Sequence, residues 1–261
     1  MKILKIIGIF LFVCYVVGCI GIYTQQNRVF FNPQQLSDDY SFRAGEEVEV
    51  PVSDGISLNC LWLKERNAKG VILYLHGNRG SNKRCLYQAQ NMSGNQYDIF
   101  MPDYRGYGKS EGAIYSEQQL FDDVQQVYDF LKEQYAEKQI VVVGYSLGSG
   151  MASWLAANNH PKQLILLAPY VSFIDLKNRY AWFLPNFLVK YPLNNKAHLA
   201  DVRCPVTLFH GTDDELIPFD SSEILQEVNP KNIELVPLED VGHRRVIFDG
   251  RFRAKVQALL K

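Results

Sequence analysis

The spacing of apolar and polar residues changes character several times along the chain. Ile6 to Tyr23 is an uncharged, almost wholly apolar run of 18 residues, entered through Lys2 and Lys5. That length is at the short end for crossing a bilayer, and a segment apolar on every side does not suit a helix lying on a protein surface. Gln25 to Arg43 then reads as a polar connector carrying an aromatic patch, Phe30-Phe31-Asn32-Pro33. From Glu46 the period becomes two. Val48, Val50 and Val52 alternate with polar residues, Ile56 to Leu63 alternates again, and Ser53-Asp54-Gly55 between them predicts a hairpin turn.

Short buried-strand runs follow at Val71–Leu75, Tyr97–Pro102, Ile140–Gly144, Gln163–Ala168, Val206–Gly211 and Ile233–Leu238. Helical stretches separate most of them. Asn82 to Ser93 is one. Ser116-x-x-Gln119 reads as a capping box opening a second, whose stripe is Leu120, Val124, Val127 and Leu131. A third ends near Asn158, before Pro161, and others cover Ser221–Val228 and Arg251–Leu260. Strand-helix alternation of this kind predicts an α/β fold with a mostly parallel sheet and helices on both faces. Pro169 to Ala200 breaks the alternation with seven aromatics, among them Tyr170, Phe173, Tyr180 and Trp182. It is too long for a plain connector. Two readings stand: a short helical lid or acyl-binding wall, and a surface excursion packing its own aromatics. The expected organisation is a membrane segment over 1–23, a connector over 24–45, and one catalytic domain over 46–261 with its lid at about 169–200.

Composition narrows the function. The 261 residues are 47% apolar and 21% charged, enough for a sizeable core, and the net charge of −1 argues against a nucleic-acid-binding surface. No Cys-x-x-Cys pair or zinc spacing joins Cys14, Cys19, Cys60, Cys85 and Cys204, so free thiols are expected rather than a metal site. The N-terminal segment has three readings: uncleaved signal anchor, cleaved signal peptide, or lipoprotein signal. Val16-Val17-Gly18-Cys19 resembles a lipobox with Cys19 as the lipidated residue, whereas an Ala-x-Ala cleavage site is missing. With Lys2 and Lys5 inside, the body is expected outside the cytoplasm, at the periplasmic face in a bacterium, although Arg28 weakens the bias.

The chemistry centres on Val141-Val142-Val143-Gly144-Tyr145-Ser146-Leu147-Gly148-Ser149-Gly150. An apolar strand runs into Gly-x-Ser-x-Gly and a helix leaves it, the pattern of a nucleophile elbow with Ser146 at its apex. A serine hydroxyl needs a base, and the base an orienting carboxylate. Of five histidines, only His243 lies past the final strand. His76, His160, His198 and His210 read as a loop, a cap, a lid and a strand-end residue. Asp213 and Asp214 both follow a parallel strand at its carboxyl edge, where such sheets keep their sites, and Asp214 is the preferred acid. The loop His76-Gly77-Asn78-Arg79-Gly80 follows a buried strand and can leave backbone N–H groups free. The Gly-rich stretch Asp103 to Gly112 lacks phosphate-loop spacing and reads as structural.

Five motifs now stand in order: His-Gly-Asn-x-Gly, Asp-Tyr-Arg-Gly-Tyr-Gly-x-Ser-x-Gly, Gly-Tyr-Ser-Leu-Gly, His-Gly-Thr-x-Asp-x-x-Ile-Pro and Gly-His. From about Phe30 to the C-terminus the chain resembles the α/β-hydrolase superfamily. Within it, the chain is similar to membrane-anchored Bem46/ABHD13/ABHD17-like serine hydrolases related to the serine aminopeptidase S33 group. The resemblance implies an acyl hydrolase that needs no metal or organic cofactor. Its catalytic residues would be Ser146, Asp214 and His243, since the family acid falls on Asp214 in Gly-x-x-Asp-x-x-Ile-Pro. The N–H groups of Asn78 and Leu147 would form the oxyanion hole. The expected substrate is a small or acylated molecule, cleaved at an ester, thioester or amide; an S33-type peptidase and a catalytically idle membrane-tethered binding module are the alternatives. Arg244 and Arg245 depart from the small or polar residues that many relatives carry after this histidine. They bear on the pocket rim and an anionic substrate, or are solvated.

Overall fold

In a computed structural model of the protein, which describes residues 2–261, the alternating chain builds one eight-stranded sheet. β1 (Glu46–Pro51) and β2 (Ser57–Leu63) form the hairpin, turned at Ser53–Gly55 with Asp54 at φ 66°. β3 (Gly70–Leu75), β4 (Tyr97–Pro102), β5 (Ile140–Tyr145), β6 (Gln163–Leu167), β7 (Val206–Gly211) and β8 (Ile233–Leu238) follow. Their order across the sheet is β8-β7-β6-β5-β3-β4-β2-β1, and β2 alone runs against its neighbours. The central strands are buried along their whole length because helices cover both faces, which is why their sequences are continuous apolar runs. Edge strand β8 instead mixes buried Ile233 and Leu238 with exposed Glu234 and Pro237.

The helices are α1 (Lys2–Phe30), α2 (Asn82–Ala89), α3 (Glu117–Lys132), α4 (Leu147–Asn158), α5 (Phe173–Ala181), α6 (Asn195–Leu199), α7 (Asp220–Gln226) and α8 (Gly250–Leu259). On one face of the sheet Leu120, Val124 and Leu131 of α3 pack with Met151 and Leu155 of α4. On the other, Cys85 of α2 packs with Phe252 and Val256 of α8. The expected cap of α3 is present: Ser116 Oγ accepts from the Gln119 N–H at 3.1 Å. Gln119 reaches one residue further back than a capping box requires, to the Tyr115 N–H at 2.9 Å. The first helix of the body stops at Ala89 and continues only as a tight turn to Met92.

The N-terminal element departs most from its expectation. α1 does not end with the apolar run at Tyr23 but continues to Phe30, through residues that hydropathy assigns to the connector. Those polar residues find partners on the body. Gln26 Nε2 donates to the Leu188 carbonyl at 2.6 Å, and the Lys190 N–H donates to Gln26 Oε1 at 2.9 Å. Asn27 Nδ2 donates to the Ile114 carbonyl at 2.6 Å and its Oδ1 accepts from Tyr191 O–H at 2.7 Å. Phe30 stacks on Phe173, with ring centroids 4.7 Å apart. Just beyond, Asn32–Pro33 pairs in parallel with Arg79–Gly80, which ties the connector to the loop after β3. By length and composition α1 is suited to cross a membrane. The cysteines are free thiols, with Cys60, Cys85 and Cys204 buried.

Candidate active site

Ser146 sits where β5 becomes α4, with φ 51° and ψ −115°, a backbone conformation that L residues rarely adopt. The turn is this sharp because its flanks carry no side chain. A Cβ on Gly148 would lie 2.1 Å from the Leu75 carbonyl oxygen, and one on Gly144 would lie 2.6 Å from the Cβ of Ala152. The two glycines let α4 pack against the ends of β3 and β5, and that packing lifts Ser146 out of the sheet edge.

Three sequence-selected residues meet there. His243 Nε2 lies 3.0 Å from Ser146 Oγ, and His243 Nδ1 lies 2.7 Å from Asp214 Oδ2. Ser146 directly follows β5, Asp214 lies in the turn after β7, and His243 follows β8, so parallel strands bring together residues up to 97 positions apart. Asp213 is exposed and its carboxylate takes only the Thr212 hydroxyl at 3.3 Å. Asp214 is enclosed. Burial pushes its carboxyl pKa up, but hydrogen bonds from His210, His243 and the Ile217 N–H outweigh burial and hold it well below the usual carboxylate range. Its other oxygen accepts from the N–H groups of Leu216 and Ile217 at 2.9 and 2.7 Å.

The structure adds partners that the motifs do not announce. His210, wholly buried, places Nε2 between the Ile217 carbonyl at 3.0 Å and Asp214 Oδ2 at 3.2 Å. Facing two acceptors, Nε2 carries the proton, which leaves Nδ1 to accept from Ser222 O–H at 2.6 Å. His243 is gripped by its backbone as well. Tyr145 O–H donates to its carbonyl at 2.7 Å, and its N–H donates to Glu215 Oε2 at 3.1 Å. The two contacts on the His243 backbone join residues 98 and 28 positions apart, so only the adjacency of Tyr145 to Ser146 and of Glu215 to Asp214 hinted at them.

The loop after β3 passes close to Ser146: a Cβ on Gly77 would lie 3.7 Å from the Ser146 Cβ. Tyr104 O–H holds the His76 carbonyl at 2.8 Å and Tyr107 O–H holds the Asn78 carbonyl at 2.7 Å, so the loop is fixed from behind. Leu147 is the first residue of α4, where an N–H has no partner inside the helix. Neither its N–H nor that of Asn78 meets an acceptor among the described residues. His76 itself points away from Ser146, with Nδ1 2.7 Å from the Gly77 carbonyl and Nε2 3.4 Å from buried Asp103. Arg105 forms two bonds to Asp123 of α3, at 2.6 and 2.8 Å, and reaches Asp54 and the Ser53 carbonyl in the β1–β2 turn, at 2.9 and 3.2 Å. His160 and His198 lie elsewhere. Among the described residues no group of three His, Cys, Asp or Glu is arranged to hold a metal ion.

Ser146 and His243 open into a cavity of about 630 Å³. Its far wall is α5, which presents Phe173, Leu176, Lys177 and Tyr180 at helical spacing. Val29 and Phe30 of α1 complete that wall. Arg79, Arg84 and Arg244 stand around the cavity without a salt-bridge partner among the described residues, and no aspartate or glutamate lines it. Arg245 is outside the lining.

Comparisons with known proteins agree with this architecture. The model of the serine aminopeptidase S33 family matches residues 66–200. Alpha/beta hydrolase domain-containing protein 17B of Homo sapiens is 27% identical over 230 residues, covering 84% of this chain and 77% of that protein. The lysophosphatidylserine lipase ABHD12 of Danio rerio is 29% identical over 205 residues, 67% of this chain and 53% of that longer protein. Among solved structures, the Pyrococcus furiosus esterase Pf2001 matches with a TM-score of 0.69 at 20% identity, covering 88% of this chain and 98% of that one, a likeness of fold.

Proposed function

The chain belongs to the serine aminopeptidase S33 family of α/β-hydrolases, and on that premise we propose that it is a serine esterase or thioesterase acting through Ser146, Asp214 and His243. The observation that carries the reading is the continuous chain from Ser146 Oγ to His243, 3.0 Å, and from His243 to Asp214, 2.7 Å, at the floor of a largely apolar cavity. His243 Nε2 takes the Ser146 hydroxyl proton as Oγ bonds to the substrate carbonyl carbon. Asp214, kept ionised by its hydrogen bonds, holds the Nδ1 proton of His243 and stabilises the imidazolium. The N–H groups of Asn78 and Leu147 receive the oxyanion. Collapse of the tetrahedral adduct breaks the bond to the leaving group, which takes the proton from His243. Water, deprotonated by the same nitrogen, then adds to the acyl carbon, and the bond to Ser146 Oγ breaks as Oγ recovers its proton from His243, which releases the acid.

The lining favours an ester over a peptide. An aminopeptidase must hold an ammonium group, and no carboxylate faces the cavity among the described residues. Phe173, Leu176 and Tyr180 suit an apolar acyl group, and Arg79, Arg84 and Arg244 suit a leaving group that carries negative charge. A relative named as a lysophosphatidylserine lipase fits both preferences. We read α1 as a retained anchor with Lys2 and Lys5 in the cytoplasm and the catalytic body outside. Tyr15 O–H donates to the Phe183 carbonyl at 3.1 Å, a contact that cleavage before Cys19 would remove. Intact-mass measurement of the membrane-extracted protein separates the retained anchor from a protein that begins at a lipidated Cys19.

The test of the activity is direct. Ser146→Ala should lower turnover of p-nitrophenyl butyrate by about 10⁴-fold or more. A fluorophosphonate probe should label Ser146 alone. Undiminished turnover in Ser146→Ala refutes the assignment, and failure of a folded sample to take the probe favours a non-catalytic binding module.

A further inference from the structure

A second cavity, of about 390 Å³, lies between α1 and the segment after α5. One side is α1, with Gly21, Ile22 and Gln25; the other is Leu184, Pro185 and Leu188. Its volume falls in the range of small-ligand sites, about 300–1,000 Å³. It is no isolated packing fault. Val29, Phe30 and Lys177 line both this cavity and the one containing Ser146, so the two adjoin across those side chains.

Resting on the hydrolase reading above, we propose that this cleft binds the distal part of the substrate's acyl chain, and that the chain enters it from the bilayer. α1 is then a wall of the substrate site as well as an anchor. Three observations place hydrocarbon there. The cleft is built on the one helix of the chain suited to cross a membrane, among the described residues. It begins at Gly21, near the outer end of the apolar run Ile6–Tyr23, and follows α1 to Phe30, about 14 Å of helix at about 1.5 Å per residue. The lid tip beside it is dressed for lipid: Trp182 and Phe187 are 79% and 81% exposed, and the Phe183 carbonyl takes the hydroxyl of Tyr15, which lies inside the apolar run. An aromatic-rich tip held against a membrane segment belongs at the bilayer interface. A chain lifted part-way from the leaflet would keep its end in apolar surroundings while its carbonyl reached Ser146. The polar groups at the junction are already occupied, since Lys177 Nζ donates to the Leu184 carbonyl and Asn186 Oδ1, each at 2.7 Å. They offer a chain little competition from water.

The test fills the cleft from each side. A Cβ on Gly21 would meet nothing within 4 Å, so Gly21→Trp adds bulk without disturbing the backbone, and Leu184→Trp does the same from the lid. In full-length protein in phosphatidylcholine nanodiscs, both variants should lower kcat/KM for p-nitrophenyl palmitate by about 10-fold or more, because the excluded methylenes lose their burial. Turnover of p-nitrophenyl butyrate should stay within about twofold, since its chain ends inside the first cavity. Equal losses on both esters, or an unchanged palmitate rate, overturn the proposal. A second arm needs no catalysis. A diazirine-bearing long-chain fatty acid, photolysed with the wild-type protein in the same nanodiscs, should cross-link to residues 21–30 or 184–189. Prior reaction with hexadecyl fluorophosphonate should block it. Cross-links confined to residues 3–17 would mean annular lipid only and would also overturn it. Loss of Ser146 labelling with cleft cross-linking retained would instead sink the hydrolase reading while leaving the cleft.

Discussion

The two walls of the Ser146 cavity are built on opposite terms. The sheet-side wall, where Ser146 and His243 stand, is backed by a hydrogen-bond set behind the lining: the side chains of Asp214 and His210 are shut from solvent, and Tyr145 and Glu215 clamp the backbone of His243. The opposite wall is apolar contact between two partly exposed elements, α5 and the end of α1, and its neighbour Trp182 is largely open. Proton transfer tolerates little error in distance, whereas apolar burial is non-directional. A pocket can therefore hold its chemistry rigidly and leave its recognition surface adaptable, provided each wall is stabilised from a different layer of the fold.

The largest expected disturbance of the rigid wall, short of removing the nucleophile, is Asp214→Asn. It should lower kcat on p-nitrophenyl butyrate by about 10³–10⁴-fold, as the histidine loses its held tautomer. It also has a pH signature. The folded carboxyl titrates below its unfolded value of about 3.9, so its stabilising contribution is complete above that value and fades as pH falls toward the folded pKa. In urea titrations the wild-type protein should exceed the variant in stability at neutral pH, and the gap should narrow below about pH 4. A gap independent of pH would contradict the ionised, hydrogen-bonded carboxylate.

A smaller effect is expected at Tyr145→Phe, which removes the hydroxyl on the His243 carbonyl while leaving the ring against the imidazole. Loss of one buried hydrogen bond, about 1 kcal/mol, should appear as a roughly 5–10-fold fall in kcat with little change in KM. A pure KM effect would move Tyr145 to the recognition side. The smallest effect tests the segment after α5. Vesicles of brominated phospholipid should quench the fluorescence of Trp182, so Trp182→Phe should abolish most of the quenching; Trp62 and Trp154 sit in the body and should contribute little. Unquenched emission from the wild-type protein would place the lid tip in water and make both walls of the pocket soluble surfaces.

The sheet was legible because its central strands are buried on both faces and so read as unbroken apolar runs, while edge strand β1 alternates because one face is open. The three residues proposed for catalysis were legible because the elbow needs glycines at fixed places and because each partner follows its own parallel strand. What stayed hidden depends on contacts across the fold. His210 and Asp214 stand four residues apart in one motif, yet only the fold of the turn after β7 brings the ring to the carboxylate, and nothing near Tyr145 says that its hydroxyl will hold a carbonyl 98 residues on. The end of α1 was hidden for another reason. Hydropathy falls at Thr24–Arg28, yet Gln26 and Asn27 are polar because they bond to Leu188, Lys190 and Ile114 of the body. Polarity there marks docking, which a hydropathy reading cannot tell from solvent.

The backbone of Ser146 carries one further consequence. A side chain held at φ 51° and ψ −115° costs the folded state about 1–3 kcal/mol, a burden that glycine would not bear. Ser146→Gly would therefore relax the turn and remove the hydroxyl in one step. On the proposed role, that cost is what holding a nucleophile at the apex of the turn requires, so Ser146→Gly should melt higher than the wild-type protein while losing its turnover.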